Sequence, residues 1–96
     1  MTKEEFLALD PSRVTVLDVR EPEELAALPS RDGAVNIAMS DLIDGIDEDE
    51  IALVPKEKPV VTLCQSGGRA ARMAALLKQQ GWDADYVIGG LEILNQ

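Results

Sequence analysis

Apolar positions along this chain follow two rhythms that take turns. Compact β-branched runs stand at Val14 to Val19 and Val60 to Leu63, the mark of strands buried on both faces. Shorter runs at Ala34 to Ala38 and Tyr86-Val87-Ile88 predict two more strands. Between them the spacing becomes helical. Thr2-Lys3-Glu4-Glu5 has the form of a capping box, with Thr2 as N-cap, and predicts a short helix to about Leu9, ended by Asp10-Pro11-Ser12. Arg20-Glu21-Pro22-Glu23-Glu24 predicts a helix start, with Pro22 in the first turn and glutamates at the positive end of the dipole. That helix should end near Pro29, before a polar turn through Ser30-Arg31-Asp32-Gly33. The clearest helix is the Ala, Leu and Met pattern from Arg69 to Gln80, with Gly81 as its stop.

The remaining segments are shorter. The acidic middle predicts one or two short helices, one capped by Ser40 or Asp41 and one near Asp47 to Leu53. Pro55-Lys56-Glu57-Lys58-Pro59 is a turn that launches the strand at Val60, and Gly89-Gly90 leads into a short tail, Leu91 to Gln96. Strands this short, separated by helices, require right-handed crossovers. The expected fold is therefore α/β: one domain over residues 1–96, with a central, mostly parallel sheet of four to five strands flanked by helices on both faces. In such sheets ligands bind beyond the carboxyl ends of the strands.

Composition narrows the function classes. The chain has 96 residues, a 46% apolar share and three aromatic residues, Phe6, Trp82 and Tyr86, so its core must be aliphatic. It has one cysteine and no histidine, which removes an intramolecular disulfide and argues against a metal site. A net charge of −9 speaks against nucleic acid and anionic membranes. No apolar run approaches a bilayer span and no signal segment opens the chain, so a cytoplasmic location is expected. The acidic run Asp41, Asp44, Asp47, Glu48, Asp49 and Glu50 is read first as a solvated face and second as a docking surface for a basic partner.

The candidate chemistry lies in one cysteine. Cys64 stands where the Val60 strand breaks into Gln65-Ser66-Gly67-Gly68 and Arg69 opens a helix. Turn amides and the positive end of a helix dipole both stabilise a thiolate, the nucleophilic form. A lone cysteine at a strand end is also a good small core residue. Asp18 and Arg20 follow the first buried strand, where an Asp–Arg pair pins neighbouring loops more often than it catalyses. Arg72 follows Arg69 by three residues and shares its helix face.

Four segments together give the chain a family likeness. Asp18-Val19-Arg20-Glu21-Pro22-Glu23-Glu24, Gly33-Ala34-Val35-Asn36-Ile37, Cys64-Gln65-Ser66-Gly67-Gly68-Arg69, and the pair Gly81-Trp82 with Gly89-Gly90 occur in order. In these the chain resembles a single-domain rhodanese-like protein over nearly its whole length. It departs from that pattern in four places. Leu28-Pro29-Ser30-Arg31-Asp32 stands where many members carry glycine-histidine-isoleucine-proline, and Ile88 where an acidic residue is common. The final helix is short or missing, and the usual first strand shrinks to Met1 at most.

The resemblance implies sulfur transfer, with Cys64 taking a sulfane sulfur as a persulfide and passing it to a thiophilic acceptor. It places Gln65, Ser66, Gly67, Gly68 and Arg69 around the substrate, Gly67 and Gly68 permitting the tight curl of the loop and Arg69 offering charge to an anion. Asp18 and Arg20 are supporting residues. The implied donor is a small anion such as thiosulfate, or a protein persulfide. No cofactor or metal is implied, and a monomer is expected. The alternative is a sulfur carrier or regulatory module serving a protein partner with little turnover. A phosphatase is disfavoured, because related phosphate loops are one residue longer than the four residues between Cys64 and Arg69.

Overall fold

The structure, a computed structural model, describes residues 1–45 and 47–96. Four parallel strands lie in the order β2-β1-β3-β4. They are β1 (Thr15–Asp18), β2 (Val35–Asn36), β3 (Val60–Leu63) and β4 (Ala84–Tyr86). The central pair is β1 and β3, in register from Thr15 opposite Val60 to Asp18 opposite Leu63. The carboxyl ends of the two most buried strands therefore stop at one level, and both candidate segments begin there.

Among the described residues, six α-helices connect and cover the sheet: α1 (Lys3–Leu7), α2 (Pro22–Ala27), α3 (Met39–Ile43), α4 (Glu48–Ile51), α5 (Gly68–Gln79) and α6 (Gly90–Leu94), with a 3-10 turn at Pro11–Arg13. The two-residue period of β3 sorts its side chains. Val60 and Cys64 join a core with Leu17, Leu42, Val54, Ala70, Met73 and Leu77 under α3, α4 and α5. Val61 and Leu63 face the other way, onto Phe6 of α1 and Leu91 and Leu94 of α6. Helices thus cover both faces, and all of β3 is buried. Each fully buried Val or Leu contributes about 1.5–3 kcal/mol. A four-residue strand can hold its register on that basis.

Most local expectations are met. The Thr2 capping box closes, with Glu5 N donating to Thr2 Oγ1 at 3.1 Å and Thr2 N to Glu5 Oε1 at 3.0 Å. Pro22 occupies the first turn of α2. Asp47 caps α4, accepting from the amides of Asp49 and Glu50. Gly81 follows α5 at φ +103°.

Three details differ. Ala38, not Ser40 or Asp41, is the N-cap of α3, and no side chain caps that helix. Ser40 instead donates to Glu21 at 2.8 Å. The fourth strand lies at Ala84–Tyr86, ahead of the expected Tyr86-Val87-Ile88. The register that brings Val60 N onto Asp83 O sets this, and Val87 then turns into the core under α6. The tail after Gly89-Gly90 is the helix α6, with Leu91 and Leu94 buried. Met1 stands beside this segment, its amino group donating to Tyr86 O at 2.6 Å and its carbonyl accepting from Ile88 N at 2.8 Å.

Candidate active site around Cys64

Three chain segments meet beyond the ends of β1 and β3. The first is the bend Asp18-Val19-Arg20. Arg20 folds back on Asp18 through Nε, 3.1 Å from both carboxylate oxygens, and Nη2, 2.9 Å from Oδ2. Both residues are fully buried. Ser30 donates to Asp18 at 2.6 Å, and Arg20's own amide donates to Oδ1 at 3.0 Å. Burial alone would raise the Asp18 carboxyl, but the hydrogen bonds from Arg20 and Ser30 and the Arg20 charge outweigh it and hold the group below its usual range. Asn36 of β2 braces the bend by donating to the carbonyls of Asp18 at 2.9 Å and Arg20 at 3.0 Å. The pair thus has the geometry of a structural pin.

The second segment is the loop after β3. Cys64 ends the strand facing α5, and its Sγ accepts from Gly67 N at 3.0 Å and Ala70 N at 3.3 Å. Gly67 makes this closure possible. It adopts φ +103°, and a Cβ there would lie 3.1 Å from Gly89 N. Gly68 does not share that role. It is the first residue of α5, with ordinary φ and open space around its α-carbon. Thr62, buried one pleat before Cys64, donates to Ala70 O at 2.7 Å and fixes the start of α5 over the sulfur. Sequence reading passed over Thr62, whose signal is a hydroxyl inside an otherwise apolar strand.

The third segment is α6. Leu91 N donates to Cys64 O and Glu92 N to Gln65 O, each at 3.0 Å. The first turn of α6 thereby takes up the carbonyls of Cys64 and Gln65, while the amides of Gly67 and Ala70 reach the sulfur. Gly90 is what allows α6 so close: at φ +58°, a Cβ on it would stand 2.5 Å from Cys64 O. The sulfur ends up entirely covered, Cys64 being 0% exposed. Gln65 is half-buried and Ser66 exposed on the outer surface of the loop.

Arg69 lies in the first turn of α5, at the rim, with its guanidinium already engaged. Nη1 is 2.9 Å from Oε1 of Glu24 in α2. That hydrogen bond raises the guanidinium above its ordinary value against the opposing effect of burial, and the charges of Glu24, Cys64 and Glu21 add to it. Glu24 was legible only as a dipole partner for its own helix. Arg72 is exposed and lines a separate groove with Leu42, Ile43 and Met73.

The fold is a parallel α/β sheet with a buried cysteine just beyond a central strand, its sulfur facing the amides of Gly67 and Ala70 at the start of α5. The rhodanese-like domain family profile matches residues 2–94, and the chain belongs to that family. It is 33% identical over 78 residues, 79% of this chain and 68% of the relative, to the Bacillus subtilis (strain 168) protein named "Putative sulfurtransferase YtwF". Among solved structures it is similar to a rhodanese-related protein from Thermoplasma volcanium, with TM-score 0.83 and 28% identity over 99% of this chain and 88% of that one. It is also similar to a rhodanese homologue from the extremely thermophilic bacterium Thermus thermophilus, with TM-score 0.78 and 26% identity over 98% of each chain. No helix among the described residues is long and apolar enough to cross a membrane.

Proposed function

We propose that the chain is a sulfurtransferase that carries a sulfane sulfur as a persulfide on Cys64. The observation that carries this reading is the pair of amides, Gly67 N and Ala70 N, directed at Sγ from the start of α5. Two N–H donors with the positive end of a helix dipole favour a sulfur anion there, and a persulfide needs the same environment as a thiolate. The Cys64 thiolate attacks the outer sulfur of the donor. A Cys64 S–S bond forms, the donor's S–S bond breaks, and its electron pair leaves with the remainder, sulfite when thiosulfate is the donor. An acceptor nucleophile then attacks the outer sulfur, and the Cys64 thiolate departs with the electron pair of the broken bond. Gln65 and Ser66 on the loop's outer surface, with Arg69 at the rim, are the side chains first met by either reactant. The chemistry belongs in a reducing compartment, where the thiol persists between turnovers.

The covered sulfur favours a second reading, a carrier that receives sulfur from a docked protein which parts the loop. Intact mass spectrometry before and after thiosulfate, with a reductant chase, tests both. The native protein gains one sulfur and loses it on reduction, and Cys64→Ser gains none while keeping its fold. Loading by a protein persulfide but never by thiosulfate identifies the carrier. Loading retained by Cys64→Ser excludes both readings.

A further inference from the structure

Among the charged groups at the rim, Glu24 stands in a role that helix capping does not explain. It reaches from the first turn of α2 to the first turn of α5, 45 residues along the chain, and holds Arg69 at 2.9 Å. The two side chains are 39% and 33% exposed, so the pair lies at the mouth of the site and not in the core. Ion pairs this accessible are weak and exchange readily with solution anions. The second Glu24 oxygen, Oε2, is buried with no hydrogen-bond donor among the described residues, so Arg69 is the carboxylate's anchor. Glu21, the N-cap residue of α2, whose carboxylate accepts from Ser40, adds a second negative charge that Arg69 also feels.

We propose that Glu24 sets donor selectivity: its carboxylate occupies the guanidinium that an anionic donor requires, so the resting site disfavours small dianions such as thiosulfate and favours monoanionic or neutral persulfide donors. This rests on Cys64 as the sulfur-bearing nucleophile. A dianion has to compete with Glu24 for the charge of Arg69, whose Nη1 the carboxylate already holds, and then stand beside both glutamates. A monoanionic persulfide meets half that repulsion, and a neutral one meets none. Glu24 is thus a specificity-determining residue that acts through Arg69.

The test compares alkylation of Cys64 by iodoacetate, an anion, with that by iodoacetamide, its neutral counterpart. Any opening of the loop slows both reagents alike and cancels in the ratio of their rates. Glu24→Gln preserves shape and removes the charge, and a thermal melt confirms that each variant is folded. The anion-to-neutral ratio should rise about three- to tenfold in Glu24→Gln and fall in Arg69→Ala. In the double variant the rise should be much smaller, because no guanidinium is left to release. In turnover, Glu24→Gln should lower KM for thiosulfate by clearly more than it lowers KM for cysteine persulfide. An unchanged ratio in Glu24→Gln, or an equal rise with and without Arg69, overturns the proposal. If the ratio shifts as stated but no donor loads Cys64, the sulfurtransferase reading fails and the Glu24–Arg69 gate stands.

Discussion

Arg20 is the largest fully buried side chain among the described residues, and its charge is tolerated because Asp18 meets it with both oxygens. Removing one member of such a pair strands the other charge and costs about 3–5 kcal/mol. Asp18→Asn should lower the unfolding free energy at neutral pH by that order, read as a lower urea midpoint, with sulfur loading per folded molecule little changed. The pH dependence has a defined sign. Because the folded state holds the Asp18 carboxyl below its ordinary value, its contribution is fully present above about pH 3.9 and is lost as pH falls below it. The gap in urea midpoint between the native protein and Asp18→Asn should therefore narrow below about pH 4. A gap that stays constant through that range would remove Asp18 as a stabilising anion. The sequence pointed to a pinning role for this pair. Its braces, Ser30 and Asn36, were not legible, because a serine in a turn and an asparagine ending a two-residue strand look like solvated residues until β1 and β2 are in register.

At the level of elements, the loop and α6 form one closed unit, and its glycines are not equivalent. Gly67 and Gly90 hold positive φ against neighbouring backbone, whereas Gly68 begins α5 with room for a methyl group. Gly90→Ala should destabilise the protein by about 1–3 kcal/mol and sharply reduce sulfur loading, since the new Cβ must push Cys64 O away from Leu91 N. Gly68→Ala should be neutral or stabilise by a few tenths of a kcal/mol up to about 1 kcal/mol. Thermal melts paired with persulfide mass shifts on both variants decide this; equal damage from the two would mean that the glycines act only through flexibility. The cysteine loop and the strand before it were legible because β-branched runs, glycine and the helical pattern of α5 are local signals. Residues 91–96 looked like a tail because α6 has only five residues. Its helicity depends on Leu91 and Leu94 packing onto Phe6 and Leu63, a contact made across most of the chain's length. The role of Glu24 was hidden for the same reason, since its partner is on another element.

Over the whole molecule, the net charge of −9 sets a field that every anionic reactant must cross. Raising ionic strength from low values to about 0.15 M shortens the screening length to about 8 Å. The second-order rate constant for thiosulfate should therefore increase with added inert salt, and a basic protein donor should show the opposite slope. A thiosulfate rate that falls with salt would mean that Arg69 governs approach in place of the overall charge. The complete cover over Cys64 has a separate consequence, for the lifetime of the thiol itself. A sulfur anion in open solution is easily taken by peroxide to sulfenic and then irreversibly to sulfinic acid. Enclosed by its loop and closed off by α6, this sulfur meets an oxidant only when the enclosure opens. The backbone that encloses Cys64 thus slows its ageing, and a loosened α6 would expose the thiol to oxidation before it unfolded anything.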